Sequence, residues 1–339
     1  MKHYFDTDTE CLTSHTLALP IVEIAIQRGV NSNRLLKGTK LFHEDLQNPQ
    51  KKISFTQLNT LVSNAVRLLP DDGLSFLLGQ HWLFNQTSHS GQALLNSKHL
   101  TQMSRVLQIK QFELCPFVFF VPYRSQTHTH YILNFAIATP PPLVAAFYFE
   151  MITAQISALC KWRFGFVNKI TIKLPFSKPK HIEQYYAHLA IQYQFDYPCF
   201  SLCIPNELLH VKQVSTPPIM CHYHLQQAHN TLHAVGFIQY VCDLLLQEPK
   251  SVCDDIAQQL DISPATLKRK FKQHNTSMQA LKDTLQKQLA VISIGEKGYS
   301  NEQAAEQLNF TDLTNFRRTF KRWTGMTPSQ LREIMMLKT

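Results

Sequence analysis

Ile256-Ala257-Gln258-Gln259-Leu260-Asp261-Ile262-Ser263, followed by Leu267, Arg269, Phe271 and Lys272, returns later in the chain as Ala304-Ala305-Glu306-Gln307-Leu308-Asn309-Phe310-Thr311, followed by Phe316, Arg318, Phe320 and Lys321. The copies are offset by 48 residues up to the turn (256 to 304) and by 49 after it (267 to 316), so the second carries one inserted residue. Each copy obeys the local rules for two helices joined by a tight turn. In the first, Ser251 with Asp254 is placed to cap a short helix whose apolar stripe is Ile256, Ala257 and Leu260. Ser263 then caps a second helix with Pro264 at its first position, and Leu267 and Phe271, four residues apart, turn inward. In the second copy Ser300 and Gln303 form a capping box, Ala305 and Leu308 are buried, and Thr311 caps a helix with the stripe Leu313, Phe316, Phe320 and Trp323.

Both copies therefore end in a basic amphipathic helix. Its outward face is Ala265, Lys268, Arg269 and Lys272 in the first copy; in the second, Asn315, Arg318 and Arg322 share a face. One such face is ordinarily just solvated charge. The same face twice, in register with the same turn, suggests two tandem readers of a periodic ligand, and duplex DNA offers its major groove once per turn. Between the copies, Ser277 to Ile294 reads as one helix, with Met278, Leu281, Leu285, Leu289 and Ile292 at helical spacing. About 17 residues at 1.5 Å span roughly 26 Å. With the widths of the flanking units added, the readers come near the roughly 34 Å of one DNA turn.

These residues carry a family resemblance. The first unit, the joining helix and above all Asn309-Phe310-Thr311 with the run Phe316-Arg317-Arg318-Thr319-Phe320-Lys321-Arg322-Trp323-Thr324-Gly325-Met326-Thr327-Pro328 resemble the DNA-binding domain of AraC-type transcription regulators, the second stretch matching the family's signature region. The last helix fits as well, with Thr327 as cap, Pro328 at the first position and Gln330 completing a capping box. The chain departs from the pattern in having Asn309 where Gly is usual, a residue that tolerates left-handed backbone angles, and Gln286 where Arg is common.

The resemblance places Ala265, Lys268 and Arg269, and in the second unit Thr314, Asn315 and Arg318, where side chains reach base edges. Lys268, Arg269 and Arg318 have donors for guanine O6 and N7, and Asn315 matches adenine N6 and N7. Ala265 and Thr314 offer at most a methyl contact or one hydrogen bond. Lys270, Lys272, Arg317, Lys321 and Arg322 are expected on phosphates, adding affinity and salt dependence without sequence information. An Arg at the position of Arg269 or Arg318 has one other use, bracing the fold against a carboxylate.

A chain of 339 residues is long enough for two domains. Its net charge of +9 is not concentrated in the repeat: residues 216–339 carry 14 Lys and Arg against 11 Asp and Glu, leaving the larger surplus to residues 1–215. That surplus favours nonspecific association with polyanions. The boundary is expected at Gln213-Val214-Ser215-Thr216-Pro217-Pro218, which divides the chain into an N-terminal effector or dimerisation domain (1–215), a linker (216–230) and a DNA-binding domain (231–339). Before the boundary, Leu17 to Lys110 reads as mostly helical, with a stripe of Leu58, Leu61, Val62, Ala65 and Leu69. Phe112 to Val121 and Thr129 to Ala138 follow as paired strands, Leu143 to Trp162 as a long apolar helix and Lys169 to Leu174 as a strand. A helix at Lys180 to Leu189 and strands at Ala190 to Phe195 and Phe200 to Ile204 complete the unit. The fold class is thus an α+β N-terminal domain followed by an all-α domain of two helix-turn-helix units joined by a long helix.

The N-terminal part is similar to the arabinose-binding-type effector domain of such regulators, through Gly73-Leu74 with Leu78-Gly79, Ser90-Gly91 with Leu94 and Ser97, Leu100 and Leu107, and Pro205 with Leu208-Leu209. Small residues and leucines support a common architecture and carry no ligand identity. The crowding of Phe147, Tyr148, Phe149, Met151 and Ile152, followed by Trp162, Phe164 and Phe166, reads first as core. The alternative is a cavity for a hydrophobic effector such as a fatty acid, with Arg124, Lys161 or Arg163 pairing its carboxylate. An effector-independent regulator, controlled by abundance or a protein partner, is the other reading of the domain.

No enzyme is expected. Some proteins with this DNA-binding domain are DNA-repair methyltransferases with Cys-His-Arg after Pro, but here Pro198-Cys199 runs into Phe200-Ser201, with no adjacent base to activate the thiol. Neither a Ser/His/Asp set nor a phosphate-binding glycine loop is apparent, and there are only ten glycines. The eight cysteines form no CxxC pair, and no signal peptide precedes the fold, so a reducing cytoplasm is expected. The apolar region Ile132 to Phe149 is broken by Pro140-Pro141-Pro142 and is not expected to span a membrane. Cys221-His222-Tyr223-His224 with His229 and His233 is read as surface and linker rather than a metal site. His128 and His130 share one strand face, where they would form either an exposed pair or a pH-sensitive one. The expected partners are double-stranded DNA, RNA polymerase, a small-molecule effector and a second copy of the chain, without metal or cofactor.

Overall fold

Two short strands, β1 (Tyr4–Phe5) and β2 (Leu12–Thr13), precede four helices between Ser14 and Gln47, and β3 (Lys52–Ile53) then pairs antiparallel with β2. The computed structural model describes residues 4–70, 73–163, 165, 167–212, 218–228 and 235–336. Helices follow, among them Phe55–Leu68, whose Ser54 and Gln57 close a capping box and whose Leu58, Leu61, Val62 and Ala65 are buried. Next comes the sheet: β4 (Val118–Arg124), β5 (His128–Phe135), β6 (Thr171–Lys173), β7 (Gln192–Gln194) and β8 (Ser201–Pro205), in the spatial order β4-β5-β8-β6-β7. All pairings are antiparallel except β6 with β7, which the helix Ile182–His188 connects as a crossover.

Between β5 and β6 runs the helix Pro142–Arg163, 22 residues, starting at the last residue of the proline run. It is the one helix among the described residues long and apolar enough to cross a membrane, yet most of it is buried inside the fold. The helix Leu74–Phe84 lies against it because of Gly79: a Cβ there would come 2.3 Å from the Met151 carbonyl oxygen and 2.6 Å from Ala154 Cβ. Its one acid, Glu150, is buried but accepts hydrogen bonds from Ser75 Oγ at 2.7 Å and Tyr185 Oη at 3.0 Å, and lies 2.7 Å from His181 Nε2. The polar interior group is thus fully partnered.

Strand β5 alternates between two cores. Leu133 and Phe135 pack toward the long helix, the Phe135 ring lying 5.4 Å from that of Phe149. His130, Ile132 and Asn134 point the other way, onto the C-terminal domain: Ile132 joins a core with Ala290, Val291 and Ile294, and Gln288 Nε2 donates to Asn134 Oδ1 at 2.6 Å. With a side-chain period of two, a strand covered on both faces is apolar in both registers.

From Phe237 the chain is helical: Phe237–Gln247, Cys253–Gln259, Pro264–Gln273, the joining helix Met278–Val291, then Asn301–Gln307, Leu313–Thr324 and Pro328–Met336. The joining helix ends in a π-turn, Ile292–Glu296, closed by Lys297 N–H to the Ile292 carbonyl at 2.9 Å. Short β9 (Val235–Gly236) pairs parallel with β1, so the first residues of the chain are tied to the entry of the DNA-binding domain.

The α+β and all-α halves are those the sequence predicts, with local differences. The first sheet strand begins at Val118 rather than Phe112, because Gln111–Leu114 makes a helical turn and Gln111 Nε2 donates to the carbonyls of Cys115 and Val118. Within the expected linker 216–230, the helix Pro218–Gln227 packs on His89–Leu95 and buries Cys221, so these residues are helical rather than extended. Ser251 does not cap: the helix starts at Cys253, which puts Asp255 at its third position, where the carboxylate takes the Val252 N–H at 2.7 Å. His130 is fully buried, because the C-terminal domain covers the strand face expected in solvent.

Candidate nucleic-acid interface

The two repeat units fold through the same hydrogen bonds, displaced by the sequence offset. In the first, Asp261 has φ of 53° and Ile262 N–H donates to the Ala257 carbonyl at 3.0 Å; in the second, Asn309 has φ of 57° and Phe310 N–H donates to the Ala305 carbonyl at 2.9 Å. Asp and Asn are the residues, after Gly, that take left-handed angles most readily. Beyond this turn the units differ. Ser263 caps the first reading helix, its Oγ accepting from Thr266 N–H at 3.2 Å, with Pro264 at the first position.

The second reading helix is capped not by Thr311 but by Asp312, whose carboxylate accepts from Thr314 N–H at 3.1 Å and Asn315 N–H at 2.7 Å. The inserted residue lengthens the turn, moving the cap one position on. A carboxylate there meets two orphan donors and the positive end of the helix dipole, which a hydroxyl serves less well.

Leu267 and Phe271 are buried in the first reading helix, and Phe316 and Phe320 in the second. That burial leaves Ala265, Lys268, Arg269 and Lys272 exposed on one, and Thr314, Asn315, Arg317, Arg318, Lys321 and Arg322 on the other. Arg318 Nη2 donates to Asn315 Oδ1 at 3.4 Å, so the guanidinium and the amide lie together on one face. Neither Arg269 nor Arg318 pairs with a carboxylate among the described residues, so the bracing use of these arginines is not made here. Arg322 is exposed and only loosely paired, 4.0 Å from Asp283 of the joining helix.

Lys270 departs from the expected phosphate set. Its ammonium is drawn inward to Asp6 Oδ1 at 2.5 Å and sits 5.1 Å from the centre of the Tyr4 ring. Buried His274 shares that carboxylate through Nε2 at 3.2 Å, and its Nδ1 lies 2.6 Å from the Ile137 carbonyl oxygen. Burial opposes the charge of Asp6, but hydrogen bonds and charge from His274 and Lys270 outweigh it and hold the carboxyl well below the usual range.

A second polar junction joins the sheet to the π-turn. Lys173 Nζ lies 2.5 Å from Glu296 Oε1, Tyr197 Oη donates to the same oxygen at 2.9 Å, and His130 Nε2 is 3.7 Å from Glu296 Oε2. Burial works against the Glu296 carboxylate, yet Lys173 and His130 beside it and the hydrogen bonds it accepts keep its pKa below the ordinary value. Burial lowers the His130 imidazole to about 4 despite Glu296. His130, Cys203 and Glu296 bring metal-ligating atoms within 4.8 Å of one another. Lys173 already neutralises the carboxylate, and burial pushes the Cys203 thiol up to about 11, so the cluster is built as a junction between domains. The Cys221 and His224 of the other candidate cluster face the N-terminal domain, His224 Nδ1 lying 3.1 Å from His89 Nδ1, while His229 and His233 fall outside the described residues. Cys199 is buried and its thiol pushed up to about 12, the reverse of an activated nucleophile.

A cavity of about 390 Å³ lies between the halves. Leu94, Leu100, Met103, Leu107, Ile156 and Leu159 are among the apolar residues of its wall, and Gln239, Asp243 and Leu246 of the helix Phe237–Gln247 line it from the C-terminal half. Phe147, Tyr148 and Met151 are core, as their all-apolar helix suggests, and Ile152 alone of that group reaches the cavity. Arg124, Lys161 and Arg163 do not line it; Arg163 instead donates to the Ser97 carbonyl at 3.3 Å. Phe164 and Phe166 lie outside the described residues. The polar residues that do line the cavity were not singled out from sequence. The available signal was Asp243, an acid interrupting the apolar run Val241-Cys242-Asp243-Leu244-Leu245-Leu246.

Comparison with known proteins agrees with this architecture. Residues 29–212 match the model described as the arabinose-binding domain of AraC transcription regulator, N-terminal, and residues 256–334 match a helix-turn-helix domain. The chain is 24% identical over 327 residues to the ornithine utilization regulator of Pseudomonas aeruginosa, covering 92% of this chain and 94% of that protein. It is 23% identical over 334 residues to an uncharacterized HTH-type transcriptional regulator of Mycobacterium bovis, covering 91% of this chain and 93% of that one. Among solved structures, the transcriptional regulator CdpR from Pseudomonas aeruginosa aligns over 93% of this chain and 97% of its own, at 17% identity and a TM-score of 0.41.

Proposed function

This chain belongs to the family of AraC transcription regulators, and we propose that it activates transcription by placing its two reading helices in successive major grooves on one face of a duplex. The observation that carries this reading is the pair of matched turns, each followed by a helix whose basic face is exposed. In this reading Ala265, Lys268, Arg269, Thr314, Asn315 and Arg318 approach base edges, and Lys272, Arg317, Lys321 and Arg322 meet phosphates. The faces differ in composition, so the target is two dissimilar half-sites read by one chain. Activation proceeds through contact with RNA polymerase, as the family resemblance implies.

Residues 1–215 form the sensing unit and residues 231–339 the reading unit. A small, predominantly apolar effector occupies the cavity between them and biases how the reading helices are presented. What supports this is that both halves line the cavity, so a ligand there touches the DNA-binding domain directly.

The test begins with selection of high-affinity sequences from a random DNA pool by the full-length protein. Arg269→Ala and Arg318→Ala are expected to lose affinity for the selected site while keeping nonspecific binding, and Lys272→Ala to weaken both alike. Uniform loss across all sequences for the two arginines would remove the base-reading assignment.

A further inference from the structure

The head group that the cavity accepts can be read from the polar atoms in its wall. Gln111 Nε2 donates to the carbonyls of Cys115 and Val118, which fixes the orientation of the amide, and its Oε1 is left buried without a partner. Gln239 Oε1 is likewise buried and unpartnered. Asp243, one helical turn beyond Gln239 and therefore its neighbour on the same face, has neither hydrogen bond nor ion pair among the described residues. Among the described residues the wall holds no Lys, Arg or His. A buried polar atom without a partner costs on the order of 1–3 kcal/mol, so the two amide oxygens are a standing demand for a donor, beside a half-buried carboxyl.

We propose that the cavity binds a hydrophobic amine, its alkyl or aryl body against the leucine wall and its protonated nitrogen donating to Asp243 and Gln239. This rests on the effector reading above and supplies its ligand class. A carboxylate head, the alternative raised from sequence, would bring a second negative charge beside Asp243 and meet further acceptors in Gln111 Oε1 and Gln239 Oε1. The raised pKa of Asp243, about 6 through burial, fits a carboxyl that lacks its counter-ion. An amine with an ordinary pKa near 10 supplies that counter-ion and keeps both groups charged at neutral pH. Because Asp243 and Gln239 belong to the first helix of the DNA-binding domain, the amine is recognised by the domain it would control.

The experiment compares three probes of equal chain length, decylamine, decanol and decanoate, by titration calorimetry and thermal shift on the full-length protein. Decylamine is expected to bind at least about tenfold more tightly than decanoate, with decanol between them. Asp243→Asn, isosteric with the wild type, should lose that preference while still binding decanol. Gln239→Met should weaken decylamine alone and to a smaller extent. Decanoate binding as tightly as decylamine, or an unchanged amine preference in Asp243→Asn, overturns the head-group assignment and leaves the apolar effector site standing on its decanol binding. Failure of all three probes to bind overturns both the assignment and the effector reading.

Discussion

Asp6 and Lys270 are separated by 264 residues in sequence and by 2.5 Å in space. The pair fastens Asp6 to the helix Pro264–Gln273 and draws one lysine away from the exposed basic face of that helix. Replacing Lys272 by Ala should reduce the slope of log affinity against log salt by about 1, the value for one phosphate contact, and Lys270→Ala should leave it unchanged. A salt titration of DNA binding measures both. An equal drop for Lys270→Ala means that the ion pair opens on DNA.

The same pair makes a stability prediction. A carboxyl held below its unfolded pKa stabilises the fold above roughly pH 4, and the contribution declines as pH falls from there toward the folded pKa. Asp6→Asn is therefore expected to cost about 2 kcal/mol at pH 7, because Lys270 and His274 keep only a neutral partner. The difference from wild type should shrink in acid, as chemical denaturation at pH 7 and pH 3 will show.

Burial lowers the pKa of the His130 imidazole below that of an exposed histidine. Its folded pKa of about 4 lies below the unfolded value near 6.5. Between these values the unfolded chain binds more protons, so the stability His130 allows is complete above about pH 6.5 and is lost as pH falls toward 4. The charged and titratable groups around it are Glu296, Lys173 and His128, with Cys203 alongside. His130→Gln should flatten the decline in melting temperature between pH 7 and pH 5. A decline as steep as that of wild type would show that other histidines govern it.

Asp312, rather than Thr311, holds the start of the second reading helix. Asp312→Ala is expected to destabilise the protein by about 1 kcal/mol and Thr311→Ala by a few tenths at most. Urea denaturation of the two variants decides between the caps.

Gly79 is required by the approach of two buried helices. A methyl group at 2.3 Å from the Met151 carbonyl oxygen cannot be relieved by turning a side chain. Gly79→Ala should therefore destabilise by about 1–3 kcal/mol despite the better helix propensity of Ala. An unchanged melting temperature would mean that the helices separate freely.

The elements of this molecule are legible wherever local pattern and local chemistry agree. The turn residue Asn309, the cap at Ser263, the capping boxes at Ser300 and Thr327 and the buried Leu267, Phe271, Phe316 and Phe320 of the reading helices all follow from spacing and residue type. The caps at Ser251 and Thr311 do not, because a shift of one residue in the helix start moves the third position, and periodicity resolves boundaries no better than that. Arg124, Lys161 and Arg163, offered for a carboxylate only in the alternative reading, do not line the cavity for a different reason: nearness to an apolar segment in sequence says nothing of which wall a side chain joins.

By itself, the sequence determined two helix-turn-helix units with basic faces, an α+β domain before them and the family that unites the two. These depend on contacts within a few residues, on helical and strand periods, and on caps. Only the tertiary structure decided that Lys270 is drawn inward to Asp6, that His130 is buried under the π-turn, and that Asp243 faces a cavity between the halves. Those outcomes depend on which face of one domain covers which face of the other. Such pairing is set by the packing of surfaces more than a hundred residues apart, and no local period records it.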